Sequence, residues 1–212
     1  MPPNNVFHVM CRGNNGNQIF YNDTDYLKYL ELIGRYKNEH PFDLFHYCLM
    51  SNHVHLLAMV KDGKDFSNFM KRLNLSYFKY YQSNYGWNGH FWQDRFKSKY
   101  ISQDAYLLQC GKYIELNPVR ARIVDDPCDY NWSSYKYYTK NQENYLITKD
   151  LFFDSLGQSS EDRAIAYGKM IVSEIFSFDN KLVAQGNIKE VYNANRRYSY
   201  HKEHKESPYR KS

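Results

Sequence analysis

The 212-residue sequence contains no stretch of ten consecutive apolar residues. A membrane-spanning helix needs about twenty, so none is expected. The opening Met1-Pro2-Pro3-Asn4-Asn5 lacks the basic and apolar segments of a secretory signal, and no signal peptide is expected there. Four cysteines, Cys11, Cys48, Cys110 and Cys128, stand far apart with no C-x-x-C pair. That spacing argues against a zinc ribbon or a disulfide framework and fits reduced thiols in a cytoplasmic protein. No internal repeat is visible.

What the chain does have is tyrosine. It occurs 22 times, and Phe, Tyr and Trp together make 18% of the residues. Tyrosine suits half-wet surfaces that stack on flat partners, and unpaired bases are such partners. An AT-rich coding sequence, rich in Tyr, Asn and Lys codons, would give the same composition. With 42% hydrophobic and 24% charged residues the chain is built to fold rather than to stay disordered. The net charge of +5 is unevenly spread: residues 1–89 carry +2, 90–122 carry +3, 123–188 carry −4 and 189–212 carry +4. Two basic zones thus flank an acidic stretch, a pattern suited to a polyanion.

Periodicity sets the expected elements. Val6 to Met10 is rich in β-formers and reads as a strand, followed by the Gly- and Asn-rich loop Arg12 to Asn17. Asp23 to Asn38 reads as a helix, with Tyr26, Leu27, Leu30, Ile33 and Gly34 on one side. Phe42 to Leu49 and His53 to Val60 form a hairpin around a short turn. Strict alternation puts Phe42, Leu44, His46 and Cys48 on one face of the first of these strands. Lys64 to Tyr85 reads as a long helix with an apolar stripe of Phe66, Phe69, Met70, Leu73, Tyr77, Tyr80 and Tyr81. Phe96 to Ile101 is a fourth strand. Gln103 to Leu116 is a helix that Asn117-Pro118 should end. The order β-α-β-β-α-β is the ferredoxin-like split βαβ pattern. The expected class is therefore α+β, an antiparallel sheet with helices plus a mostly helical C-terminal extension. The expected division is 1–138 for a catalytic domain, 139–186 for a helical accessory segment and 187–212 for a basic, flexible tail.

His53-Val54-His55 carries the first chemical signal. In a strand, residues i and i+2 face the same side, so both imidazoles can converge on one divalent cation. An H-x-H alone is more often a stacked surface pair. On the helix 103–116, Tyr106, Cys110, Tyr113 and Asn117 share a face at helical spacing. A phenol can attack phosphorus and an amide oxygen can complete a cation's shell. A buried core tyrosine and a helix-terminal Asn would serve the pattern as well.

Four ordered motifs sharpen this. They are Tyr47-Cys48-Leu49-Met50-Ser51-Asn52-His53-Val54-His55-Leu56-Leu57, Gly89-His90-Phe91-Trp92-Gln93-Asp94-Arg95-Phe96-Lys97-Ser98, Lys112-Tyr113-Ile114-Glu115-Leu116-Asn117-Pro118-Val119-Arg120-Ala121, and Tyr130-Asn131-Trp132-Ser133-Ser134-Tyr135. With Val9-Met10-Cys11-Arg12-Gly13-Asn14 and Ile19-Phe20, they resemble the HUH single-strand DNA transposases with one catalytic tyrosine, specifically the REP-associated tyrosine transposases. The likeness covers residues 6 to 138.

The resemblance implies a ferredoxin-like fold, in accord with the element order. It implies that His53 and His55 bind a divalent metal, Mg²⁺ or Mn²⁺, with Asn117 where relatives place a third ligand. It implies that Tyr113 is the nucleophile, cleaving single-stranded DNA beside imperfect palindromic hairpins and rejoining it through a 5′-phosphotyrosine. Arg12, Asn14, Trp92, Arg95, Lys97, Lys99, Arg120 and Arg122 are the candidate DNA contacts: the cations would hold phosphates and Trp92 would stack on a base, or serve as a core anchor. A monomer and a homodimer are both compatible. The alternative function is a hairpin-binding module of transposase origin that does not cleave.

Overall fold

The computed structural model describes residues 5–101, 104–150 and 152–184. The basic tail expected at 187–212 lies outside the described residues, as does the side chain of Tyr106. The elements are β1 (Asn5–Arg12), α1 (Asp23–Glu39), β2 (Asp43–Met50), β3 (His53–Val60), α2 (Gly63–Tyr85), β4 (Lys97–Ile101), α3 (Asp104–Glu115), α4 (Asn117–Arg120), α5 (Tyr135–Lys140) and α6 (Ser160–Ala184). The four strands form one antiparallel sheet in the order β2-β3-β1-β4. This is the α+β architecture expected from the element order.

One sheet face is covered by α1 and α2. Phe7, Val9 and Cys11 of β1 and Val54, Leu56, Ala58 and Val60 of β3 pack there against Tyr29, Leu32, Ile33, Phe66, Phe69, Leu73 and Tyr77. Apolar residues every three or four positions give each helix one face to bury, and α2 follows the expected stripe. In α1 the stripe is turned. Ile33 and Gly34 are buried as expected, but Tyr29, Leu32 and Tyr36 join them, while Tyr26 and Leu30 are only partly buried and Leu27 is 57% exposed.

The start of α1 is strongly specified. Asn22 and Asp25 form a capping box, which satisfies free N–H groups of the first turn. Asp25 is fully buried and also accepts from the hydroxyls of Tyr80 and Tyr85 on α2. One carboxylate therefore caps α1 and ties it to α2.

The alternation expected for β2 breaks. The register with β3 shifts between Leu44 and His46, a bulge that flips the faces beyond it. Leu44, Tyr47 and Leu49 consequently point to α1 and α2, while Phe45, Cys48 and Met50 point to the other face. The helix expected to end at Asn117-Pro118 does so: α3 stops at Glu115. Pro118 occupies the first turn of a separate short element, α4, where its missing N–H removes no helical bond.

The second sheet face meets α3 through Leu107 and Ile114, packed on Phe45, Cys48, Met50 and Leu57. Chain beyond α4 returns over α3: Leu116, Tyr135, Tyr138, Phe153, Tyr167 and Ile171 make a further cluster. Beside it lies a buried polar network. His46 Nδ1 is 2.9 Å from Glu115 Oε1 and its Nε2 is 3.1 Å from Asp150 Oδ2. Ser134 and Tyr167 donate to the two Glu115 oxygens. Burial alone would lower the pKa of His46, but the Glu115 and Asp150 carboxylates outweigh it and raise it from 6.5 to about 9. His46 is thus a cation held between two acids, as buried charge requires.

Candidate functional site

The site lies on the α3 face of the sheet. His53 and His55 project there from β3, with ring centroids 4.8 Å apart and planes at 88°. The side-chain period of two that buries Val54 and Leu56 under α2 turns both histidines to the same side. In register, Arg12 stands opposite His53, Met10 opposite His55, and Lys97 and Lys99 opposite Met10 and His8. Directly paired residues share a face, so these three cations surround the histidines.

Each imidazole has one ring nitrogen engaged. His53 Nδ1 is 2.5 Å from Asn52 Oδ1, and His55 Nδ1 is 2.8 Å from His8 Nε2. Burial and then the Arg12 guanidinium lower the pKa of His53 to about 4. Burial, His53 and His8 lower that of His55 to about 2. Burial and Lys99 also lower His8. All three rings are therefore neutral at pH 7, the form in which imidazole donates a lone pair to a metal.

Tyr113, near the end of α3, is 44% exposed. Its ring meets those of His55 and His8 edge-on at 6.0 Å each. From α4, the Arg120 guanidinium lies over the Tyr113 ring at 4.9 Å, a cation–π contact that fixes the ring's plane. Arg120 Nη1 also approaches the Tyr113 carbonyl at 3.4 Å. Asn117, one turn beyond Tyr113, donates from Nδ2 to the carbonyls of Tyr113 and Ile114. That leaves its Oδ1 as the atom a cation could use.

Among the described residues no group of three or more His, Cys, Asp or Glu side chains forms a metal cage. The candidate donors are two neutral imidazoles. That chemistry fits a divalent cation such as Mn²⁺, with further positions open to water or phosphate oxygens.

The remaining expected DNA contacts fall into two groups that share Lys97. Arg12, Lys97, Lys99 and Arg120 belong to the histidine side, and Arg122 follows α4 with a left-handed φ of 57°. Trp92, Arg95 and Lys97 line a groove of about 1030 Å³ between α2 and the segment 89–98, with Lys71, Asn74 and Phe78 opposite. Asn14 bridges this groove's segment to the loop after β1, its backbone N–H bonded to the Phe91 carbonyl. Trp92 is half-buried, donates from Nε1 to the Asn74 carbonyl and packs edge-on against Phe91 at 4.9 Å. Trp132 stacks on Tyr26 at 4.6 Å and 6°. Sequence alone left His8 without a role, because the contact joins positions 47 residues apart. Only the β1–β3 pairing reveals it.

The solved structures that resemble this one include the REP-associated tyrosine transposase bound to a REP hairpin. The TM-score is 0.57 at 18% identity, covering 71% of this chain and 88% of that one, which establishes a shared fold. No curated protein matches. Residues 3–117, more than half of the chain and the part that contains the sheet, both histidines and Tyr113, match the family model described as Transposase IS200 like, and the chain belongs to that family.

Proposed function

We propose that the protein is a metal-dependent single-strand DNA endonuclease and strand transferase acting on hairpin-forming repeats, as its resemblance to the REP-associated transposases suggests. The observation that carries this is the approach of the exposed Tyr113 ring to 6.0 Å from His55, beside a neutral histidine pair ringed by cations. Simple DNA binding needs none of these three residues.

His53 and His55, with Asn117 Oδ1, would hold Mg²⁺ or Mn²⁺, which when bound polarises a phosphate and orients it. Arg12, Lys97 and Lys99 bring the DNA backbone to this face. Tyr113 Oη attacks phosphorus in line: the Oη–P bond forms, the P–O3′ bond breaks, the phenol proton is released and the departing O3′ takes one up, so no net proton is lost. The products are a 5′-phosphotyrosine and a free 3′-OH. Attack by an incoming 3′-OH reverses these changes, so strand transfer needs no external energy source. Arg120 keeps the Tyr113 ring in place for both steps.

The test uses purified full-length protein, labelled single-stranded hairpins from the repeats flanking its own gene, and Mn²⁺ or Mg²⁺. A protein–DNA adduct on a denaturing gel, lost with Tyr113→Phe and without metal, is the expected result. Tight hairpin binding with no adduct under any metal would instead assign the non-cleaving binding module.

A further inference from the structure

His8 has no part in the chemistry just described, yet it touches the centre of the site. It sits on β1, an inner strand, paired with Leu57 on one side and Lys99 on the other. Its Nε2 is 2.8 Å from His55 Nδ1, and the two rings stack at 5.0 Å and 26°. The Tyr113 ring meets both rings edge-on.

The two histidines of the H-x-H pair are handled alike. An amide oxygen can only accept, so the Asn52 contact places the His53 proton on Nδ1 and leaves Nε2 bare. His55 is 2% exposed, so a proton on its Nδ1 needs an acceptor within the protein. His8 Nε2 is that acceptor when His8 carries its own proton on Nδ1. Both ligand candidates would then present Nε2 to the same space. Ligating histidines in general have the second nitrogen bonded in this way, which fixes ring orientation and tautomer.

We propose that His8 is a positioning residue: it accepts the hydrogen bond from His55 Nδ1 and holds His55 with Nε2 facing the divalent cation. This rests on His53 and His55 being cation ligands, so the experiment separates the two claims.

Mn²⁺ is titrated calorimetrically into the full-length protein without DNA, for the wild type, His8→Gln, His8→Asn and the double variant His53→Ala, His55→Ala. A Gln amide reaches about as far as Nε2 and can accept the bond; an Asn amide falls short. His8→Asn should weaken Mn²⁺ binding roughly 10- to 100-fold, whereas His8→Gln stays close to the wild type. Long-range ¹H–¹⁵N spectra should show His55 as the Nδ1–H tautomer in the wild type and in His8→Gln. If His8→Asn does not fold, that wild-type spectrum decides. Wild-type-like Mn²⁺ affinity in His8→Asn, or an Nε2–H tautomer at His55 in the wild type, overturns the role of His8 alone. A wild type that binds Mn²⁺ no better than the double variant overturns the ligand assignment and the role of His8 with it.

Discussion

Tyr113 and Gly111 lie two positions apart on α3 and answer to different demands. Tyr113 is partly exposed, and it belongs to none of the packing clusters. Tyr113→Phe should therefore abolish adduct formation while moving the unfolding free energy by no more than about 0.5 kcal/mol, as read by urea titration of both proteins. Gly111 has the opposite profile. A Cβ there would sit 2.7–2.9 Å from the His46 ring, and that ring is pinned at both nitrogens by Glu115 and Asp150. Gly111→Ala should destabilise by about 1–3 kcal/mol, the usual cost of overpacking, in the same titration. His46 itself predicts a pH profile. Its pKa rises from 6.5 to about 9 on folding, so its contribution is complete below pH 6.5 and is lost as pH climbs through 9. Thermal midpoints measured from pH 6 to 10 should fall across that window, and the fall should shrink in a His46→Gln variant.

At the level of elements, the join between α1 and α2 depends on one acidic side chain. Asn22→Ala removes the cap and an exposed hydrogen bond to the Tyr85 hydroxyl and should cost about 1 kcal/mol. Asp25→Ala removes the other half of the box together with the bonds that its carboxylate accepts from the Tyr80 and Tyr85 hydroxyls. Its cost should exceed that of Asn22→Ala by about 1–3 kcal/mol, the scale of lost hydrogen bonds to a charged group. Denaturant unfolding of the two variants side by side checks the order. Elements were largely legible because their signals are local. The H-x-H strand, the apolar stripe of α2 and the Tyr113–Asn117 spacing follow from periods of 2 and 3.6. The β2 bulge escaped because nothing in Leu44-Phe45-His46 distinguishes an extra residue from an alternating strand. The turned stripe of α1 escaped because its window holds enough apolar residues to support two neighbouring faces. Asn117-Pro118 marked the end of α3 correctly; the short α4 that starts there escaped because proline is equally at home in a first turn.

For the whole molecule, the chain beyond the family match is part of the fold of the site. Asp150 and Tyr167 reach back to His46 and Glu115, and the aromatic cluster of Tyr135, Tyr138 and Tyr167 covers Leu116. Removing one partner of a buried ionic group commonly costs about 3–5 kcal/mol. A chain ending at residue 140 should therefore lose its cooperative thermal transition, monitored by near-ultraviolet circular dichroism, even though it retains His53, His55 and Tyr113. Retention of a sharp transition would show that the sheet and α3 stand without this cover.

The sequence by itself determined the strand and helix order, the shared face of His53 and His55, and the place of Tyr113 near the end of a helix. These are short-range consequences of backbone geometry and side-chain period. Tertiary structure alone decided that α3 lies on the histidine face, that His8 meets His55, and that Glu115 shares His46 with Asp150. Those contacts join residues 47, 69 and 104 positions apart. Their geometry depends on which faces pack together and in what register, and no local pattern encodes that choice.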